Sequence, residues 1–285
     1  MSTKQAIIIG IIQGLTEFIP ISSTAHLTLA GKLMGLVDPR SPERWTAFMA
    51  VVQLGTLVAV ISYFASDLIK IARSFSAFHF GLLLRRPVAG ADRDRAKLGW
   101  LIIIGTLPIS VVGLLLRRLV EGELTKDLRV IAGSLILLAL ALALAETIGR
   151  RNRGIDQVNV FDALIVGVAQ VFALVPGSSR SGVTIAGGLF AGLRREAAAR
   201  FSFLLSVPAI AASGLLELPK ALSSVGSGWA PVAVATAASA VFGYLSIAFL
   251  LKYLQAHTTL PFIVYRIALG LLIIALLAYG RVSAL

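Results

Sequence analysis

The chain has 285 residues, 57% of them hydrophobic, with mean hydropathy +0.89 and 26 Lys and Arg against 14 Asp and Glu. Soluble domains run nearer about 45–50% apolar. The surplus falls in uncharged runs of membrane-spanning length, so the net charge of +12 reads as membrane topology, not as a nucleic-acid surface. The absence of cysteine excludes disulfides, thiolate chemistry and zinc–thiolate sites.

The first apolar run is broken. Residues 5–16 and 18–31 are charge-free, and across the break lies QGLTEFIPISSTAHL, residues 13–27. Gln13 and Glu17 are spaced i, i+4 and share one helix face. An ionised carboxylate inside a membrane defaults to function, the alternative being a capping or interfacial role. Pro20 ends the first short helix, which puts Ser22, Ser23 and Thr24 at a chain reversal. One of the three is expected to cap the helix that follows. His26, within a helical turn of the serines, is a candidate proton donor or acceptor, or else a structural hydrogen-bonder. The N-terminal run has the length of a signal peptide, but Glu17 interrupts it, no A-x-A site follows, and it has an internal copy.

A span is expected over 45–66. The gap 65–97 carries Lys70, Arg73, Arg85, Arg86, Arg93, Arg95 and Lys97 and is placed in the cytoplasm. Spans at 98–116 and 130–145 flank a gap that is then outside, although it includes Arg117 and Arg118. The gap with Arg150, Arg151 and Arg153 is inside, as is the one with Arg194 and Arg195.

Between those two gaps lies a second broken pair, 163–179 and 181–193, carrying PGSSRSGVT at 176–184. Gly177 permits unusual backbone angles. Ser178, Ser179 and Ser181 open the next helix, and a helix N-terminus binds anions. Arg180 adds a permanent charge with a planar fork suited to phosphate oxygens, and Thr184 closes the string. The string looks like a phosphate cradle. The alternative is a buried Arg180–Glu17 ion pair, which is also a resting state for the same site. Three further spans follow near 201–216, 230–251 and 262–280. Arg266, in the last, is a second anion contact or a snorkelling cation.

The two broken pairs match. GIIQ at 10–13 answers GVAQ at 167–170 with an offset of 157, and PISS at 20–23 answers PGSS at 176–179 with an offset of 156, one residue of slippage. Each pair precedes three spans, and an odd number inverts the second copy. The expectation is an all-α polytopic membrane protein, one domain over 1–285, with about six transmembrane helices plus two re-entrant helix-loop-helix segments in an inverted-topology repeat. Repeat one covers about 1–148 and repeat two about 160–285. Broken segments at corresponding positions point to a site where they meet.

The motifs at Gln13 to Glu17, Pro20 to His26 and Pro176 to Thr184 closely resemble the undecaprenyl-diphosphate phosphatase family, also known as bacitracin-resistance proteins. That family shows (E/Q)-x-x-x-E, P-x-S-S-T-x-H and P-G-x-S-R-S-x-x-T. Ala25 departs from the glycine frequent before the histidine, and Gln13 leaves Glu17 as the single acid of its motif. The resemblance covers the whole chain in length and repeat layout. It implies hydrolysis of a C55 isoprenoid diphosphate to its monophosphate, the lipid carrier for peptidoglycan, and bacitracin resistance on overexpression. It also implies a bacterial plasma-membrane location, an extracytoplasmic site, and a divalent metal such as Mg²⁺ or Ca²⁺. A homodimer is left open, and no nucleic acid is involved.

Read beside that resemblance, Arg180 and the loop hold the diphosphate. Glu17 binds the metal, with Gln13 beside it, or acts as base. Ser23 is the first candidate nucleophile and Ser22 the second, with water competing, and His26 shuttles the proton. Ser22, Thr24, Gly177, Ser178, Ser179, Ser181, Thr184 and Arg266 are the candidate phosphate contacts. No G-x-x-x-x-G-K-[ST] or H-E-x-x-H is present. The rival reading is a lipid flippase or secondary transporter, since inverted repeats with broken helices are also transporter architecture.

Overall fold

The computed structural model describes residues 1–38, 42–85, 87, 89–117, 122, 127–225 and 229–284. Arg86 and Arg118, counted above among the gap cations, lie outside the described residues. Among those described the chain is helical with no strand, and six helices are long and apolar enough to cross a membrane. They are α3 (Pro42–Tyr63), α5 (Gly90–Leu115), α6 (Leu128–Ile148), α9 (Arg195–Val225), α10 (Trp229–Ala256) and α11 (Leu260–Ala278). Each falls on an expected span. Leu137, Leu140 and Leu144 of α6 and Leu107 and Val111 of α5 point outward as apolar stripes, the surface that lipid tolerates.

The broken pairs are real short helices. Helix α1 (Thr3–Phe18) starts at a capping box between Ser2 and Gln5 and stops at Ile19, extended ahead of Pro20. Helix α2 (Ser23–Leu33) follows after four residues. In the second half, α7 (Val160–Val171) starts at a capping box between Asn159 and Asp162, and α8 (Arg180–Phe190) follows a short 3-10 turn, Phe172–Leu174.

The repeat keeps a single register of 157. Helices α2 and α8 begin at 23 and 180 and end at 33 and 190, and Gly35 and Gly192 both follow with positive φ. The prolines stay one residue out of that register, while Ser22, not Ser23, takes the place that Ser179 holds.

The halves interlock. Helix α1 packs along α10, and its repeat mate α7 packs along α5. Gly10 and Gly167, also 157 apart, make both contacts close: a Cβ at either would run into a carbonyl oxygen, that of Ala235 or of Gly105. Phe18 meets Phe203 edge-on at 5.2 Å, which ties the end of α1 into the aromatic core against α9.

The sequence reading treated 65–97 as a polar gap. The structure instead places a helix, α4 (Ala65–Leu83), packed on α5. Its apolar positions Leu68, Ile71 and Phe75 recur at helical spacing between the cations. At the end shared by α6 and α9, buried Glu146 accepts from Arg195 Nε at 2.7 Å, Arg151 at 3.0 Å and the Thr259 hydroxyl at 2.7 Å. Arg153 donates to Asp162 at 2.9 and 2.5 Å. The arginines of the two expected inside gaps thus gather at one end of the bundle.

Candidate active site

Where α1 breaks off, the chain must reverse before α2 can start. Ser22 makes the reversal with φ 76 and ψ 98, and Ser179 makes its counterpart with φ 66 and ψ 102. Positive φ is costly for a residue with a Cβ and persists where surrounding structure fixes it. Here each serine hydroxyl caps the helix it precedes: Ser22 Oγ accepts from Ala25 N at 3.3 Å, and Ser179 Oγ from Gly182 N at 3.2 Å. Gly177, at φ 86, has no room for a side chain against Ser134 and the Ile131 carbonyl.

The two reversals face each other. Glu17 is 6% exposed and is held by four donors. Oε2 accepts from Gln13 Nε2 at 2.9 Å and Ser23 Oγ at 2.7 Å; Oε1 accepts from Gln53 Nε2 at 2.8 Å and from Arg180 Nη2. The Arg180–Glu17 ion pair joins the two halves. It was weighed above as a rival to the phosphate cradle, and its place on a cavity wall lets one arrangement serve as the other's resting form. Gln53, on α3, was missed by the sequence reading. It sits inside an apolar span with no motif around it, and a polar amide in such a run was its one signal.

A cavity of about 390 Å³ opens over this cluster. Gln13, Glu17, Ser22, Ser23, Thr24, Ser178, Ser179 and Arg180 line it. Gly177, Ser181, Thr184, His26 and Arg266 are not on its wall. Ser181 Oγ lies 3.4 Å from the Glu17 and Ile19 carbonyls, bridging the two reversals, and the Thr184 hydroxyl meets Arg180 O at 2.7 Å and Ser202 Oγ at 2.6 Å. Arg266 is fully buried behind the second reversal, where Nη2 donates to Ser178 O at 2.7 Å, so it does not snorkel. His26 lies 2.7 Å through Nδ1 from the Ser22 carbonyl and 2.7 Å through Nε2 from the Tyr265 hydroxyl, on whose ring it stacks. A carbonyl only accepts, so Nδ1 carries a proton, and in the neutral ring Nε2 accepts from Tyr265.

The sequence profile described as "Bacitracin resistance protein BacA" matches residues 6–272. The chain belongs to the BacA family. Relatives of this chain carry the name undecaprenyl-diphosphatase. One from Syntrophobacter fumaroxidans is 52% identical over 95% of both chains. One from Chloroherpeton thalassium is 48% identical over the full length of both, and one from Myxococcus xanthus is 44% identical over 99% of this chain and 92% of its own.

The described residues hold no cluster of three or more His, Cys, Asp or Glu fit for a metal. They do hold oxygen donors at one carboxylate, Glu17 and Ser23 Oγ, and Gln13 and Gln53, whose amide nitrogens face Glu17, offer their oxygens once the amides turn over. That set suits a hard cation that takes its remaining ligands from substrate phosphates and water, as Mg²⁺ does with one or two carboxylates.

Proposed function

We propose that this protein is a membrane phosphatase that hydrolyses undecaprenyl diphosphate to undecaprenyl monophosphate and phosphate. The observation that carries the site assignment is the Ser23–Glu17–Arg180 cluster on the wall of one cavity. An anionic diphosphate entering the cavity exchanges with Glu17 for the Arg180 guanidinium, whose fork matches phosphoryl oxygens. Glu17, released from Arg180, keeps its 2.7 Å hydrogen bond from Ser23 and becomes the base for that hydroxyl. Ser23 Oγ attacks the terminal phosphorus, and the bond to the bridging oxygen breaks. The lipid monophosphate leaves, and water then releases phosphate from the serine. Arg180 and the start of α8 offset the charge that develops on the transferred phosphoryl. Direct attack by water with Glu17 as base is the competing route. A divalent cation would be held by Glu17, with Gln13 beside it, in place of Glu17's role as base, and would supply further charge neutralisation on the diphosphate. The isoprenoid tail lies along the apolar walls made by Ile109, Leu114, Leu174 and Leu216.

The topology we propose makes the α1–α2 and α7–α8 pairs re-entrant, in repeats inverted relative to one another. Three apolar helices of spanning length between the pairs support it. So does the charge distribution. The cavity wall reaches Glu217, six turns along α9 from Arg195 and so roughly 33 Å from the arginine-rich end. With that end cytoplasmic, the cavity opens to the extracytoplasmic side of the plasma membrane.

Purified protein in detergent, given undecaprenyl diphosphate and Mg²⁺, is expected to release phosphate without any gradient. Absence of release, together with lipid movement between the leaflets of sealed vesicles, would replace this reading with a flippase.

A further inference from the structure

The cavity that holds Glu17 and Arg180 has a second charged pair on its wall. Arg117, just past the C-terminus of α5, lies 3.9 Å from Glu217 on α9, and both side chains line the cavity. Among the described lining residues, Arg117 and Arg180 are the cations, and Glu17 and Glu217 the carboxylates. Each cation faces a carboxylate from the other half of the chain.

The two pairs differ in grip. Arg180 is 15% exposed, and Glu17 is in direct contact with it. Arg117 is 43% exposed, and its 3.9 Å separation from Glu217 exceeds a direct N–H···O hydrogen bond. Its position has a chemical consequence. Arg117 is a partly exposed cation on the wall that also carries Arg180, so an anion that enters the cavity meets both cations.

Resting on the phosphatase reading above, we propose that Arg117 is a second anion contact at the cavity mouth. It takes a phosphoryl group on the way in and inorganic phosphate on the way out, and Glu217 occupies it between turnovers. A partly exposed cation attracts an anionic headgroup, an effect that the neighbouring carboxylate reduces and that added salt weakens. Glu217 then competes with the substrate for Arg117, so removing the two charges has opposite effects.

The test uses the full chain in detergent and measures kcat, KM and product inhibition by inorganic phosphate for wild type, Arg117→Gln, Arg117→Lys and Glu217→Gln. Arg117→Gln is expected to raise KM roughly five-fold, to leave kcat within about two-fold and to weaken phosphate inhibition, with the KM effect shrinking as salt rises. Arg117→Lys keeps the charge and holds KM near wild type. Glu217→Gln lowers KM. The inference is overturned if Arg117→Gln leaves KM and phosphate inhibition unchanged, if its effect is a loss of kcat alone, or if Glu217→Gln shifts KM the same way. Where Arg117→Gln does not fold, a rise in KM for Glu217→Gln decides against it. A wild type that releases no phosphate removes the phosphatase reading as well; a working wild type with indifferent variants removes this inference alone.

Discussion

Replacing Ser22 and Ser23 one at a time separates a structural hydroxyl from a chemical one. Ser22 Oγ caps α2 through Ala25 N, so Ser22→Ala loses a cap, about 0.5–2 kcal/mol of stability. Ser22→Gly is milder. A glycine cap costs only a few tenths, while relief of a φ of 76 returns roughly 1 kcal/mol, so this variant should unfold near the wild-type temperature. Ser23 Oγ donates to Glu17, one of four donors on that carboxylate. A hydrogen bond to a charged group contributes about 1.5–3 kcal/mol. With three donors remaining, Ser23→Ala is expected at or below the lower end of that range, and folded. Its turnover should fall on the order of 10³-fold or more, because the attacking oxygen is gone. Thermal unfolding and phosphate release from undecaprenyl diphosphate, measured on the same preparations, read the two effects apart. Acid quenching during turnover should trap a phosphorylated Ser23. Ser23→Ala with turnover within about ten-fold of wild type would refute the serine route and leave water attack with Glu17 as base. A folded but inactive Ser22→Gly would refute the division of labour.

Arg180→Lys keeps the charge but loses the planar fork, and should lose most activity while remaining folded; near-normal turnover would remove the bidentate phosphate contact. Glu17→Gln should abolish turnover and, with it, the response to added Mg²⁺ in phosphate-release assays, whereas Gln13→Ala, which leaves three donors on Glu17, should be milder. Tyr265→Phe keeps the stacked ring but removes the hydroxyl from His26 Nε2. It should lower kcat a few-fold and leave the pH–rate profile in place; a shift of one limb along the pH axis would assign His26 to proton transfer, since the imidazole itself is retained. Gln170 is fully buried with neither amide atom partnered by the protein, so Gln170→Leu should raise the thermal midpoint and leave turnover unchanged.

The six spans and both broken pairs were legible because their signals are local: uncharged length for a span, and proline with hydroxyl residues for a break. Glu17, Ser23 and Arg180 stood out for a related reason, since a polar group in an apolar run has to be explained. What failed to show was set by distance in the chain. Gln53 reaches Glu17 across 36 residues, and Tyr265 reaches His26 across 239. Neither residue is unusual in its own segment. The offset of 157 was legible in GIIQ and GVAQ; the prolines sit one residue out of it, and the backbone aligns on the positive-φ serines. Helix α4 was passed over because its cations suggested a loop, although its apolar residues keep helical spacing.

With the register at 157, the two halves differ in ways that explain why both are needed. Position by position, Ser23 answers Arg180, Glu17 answers Leu174 and His26 answers Val183. Half one supplies the carboxylate and the hydroxyl, and half two supplies the cation. Either alone would bury an unpaired charge, a cost of several kcal/mol that folding does not sustain without a partner. Gln170 marks the difference. Its mate Gln13 donates to Glu17, but the residue four places after Gln170 is Leu174, which offers its amide nothing. The chemistry therefore arises only where the two reversals meet. The Glu17–Arg180 pair is both the contact that joins them and the contact an incoming diphosphate must take apart.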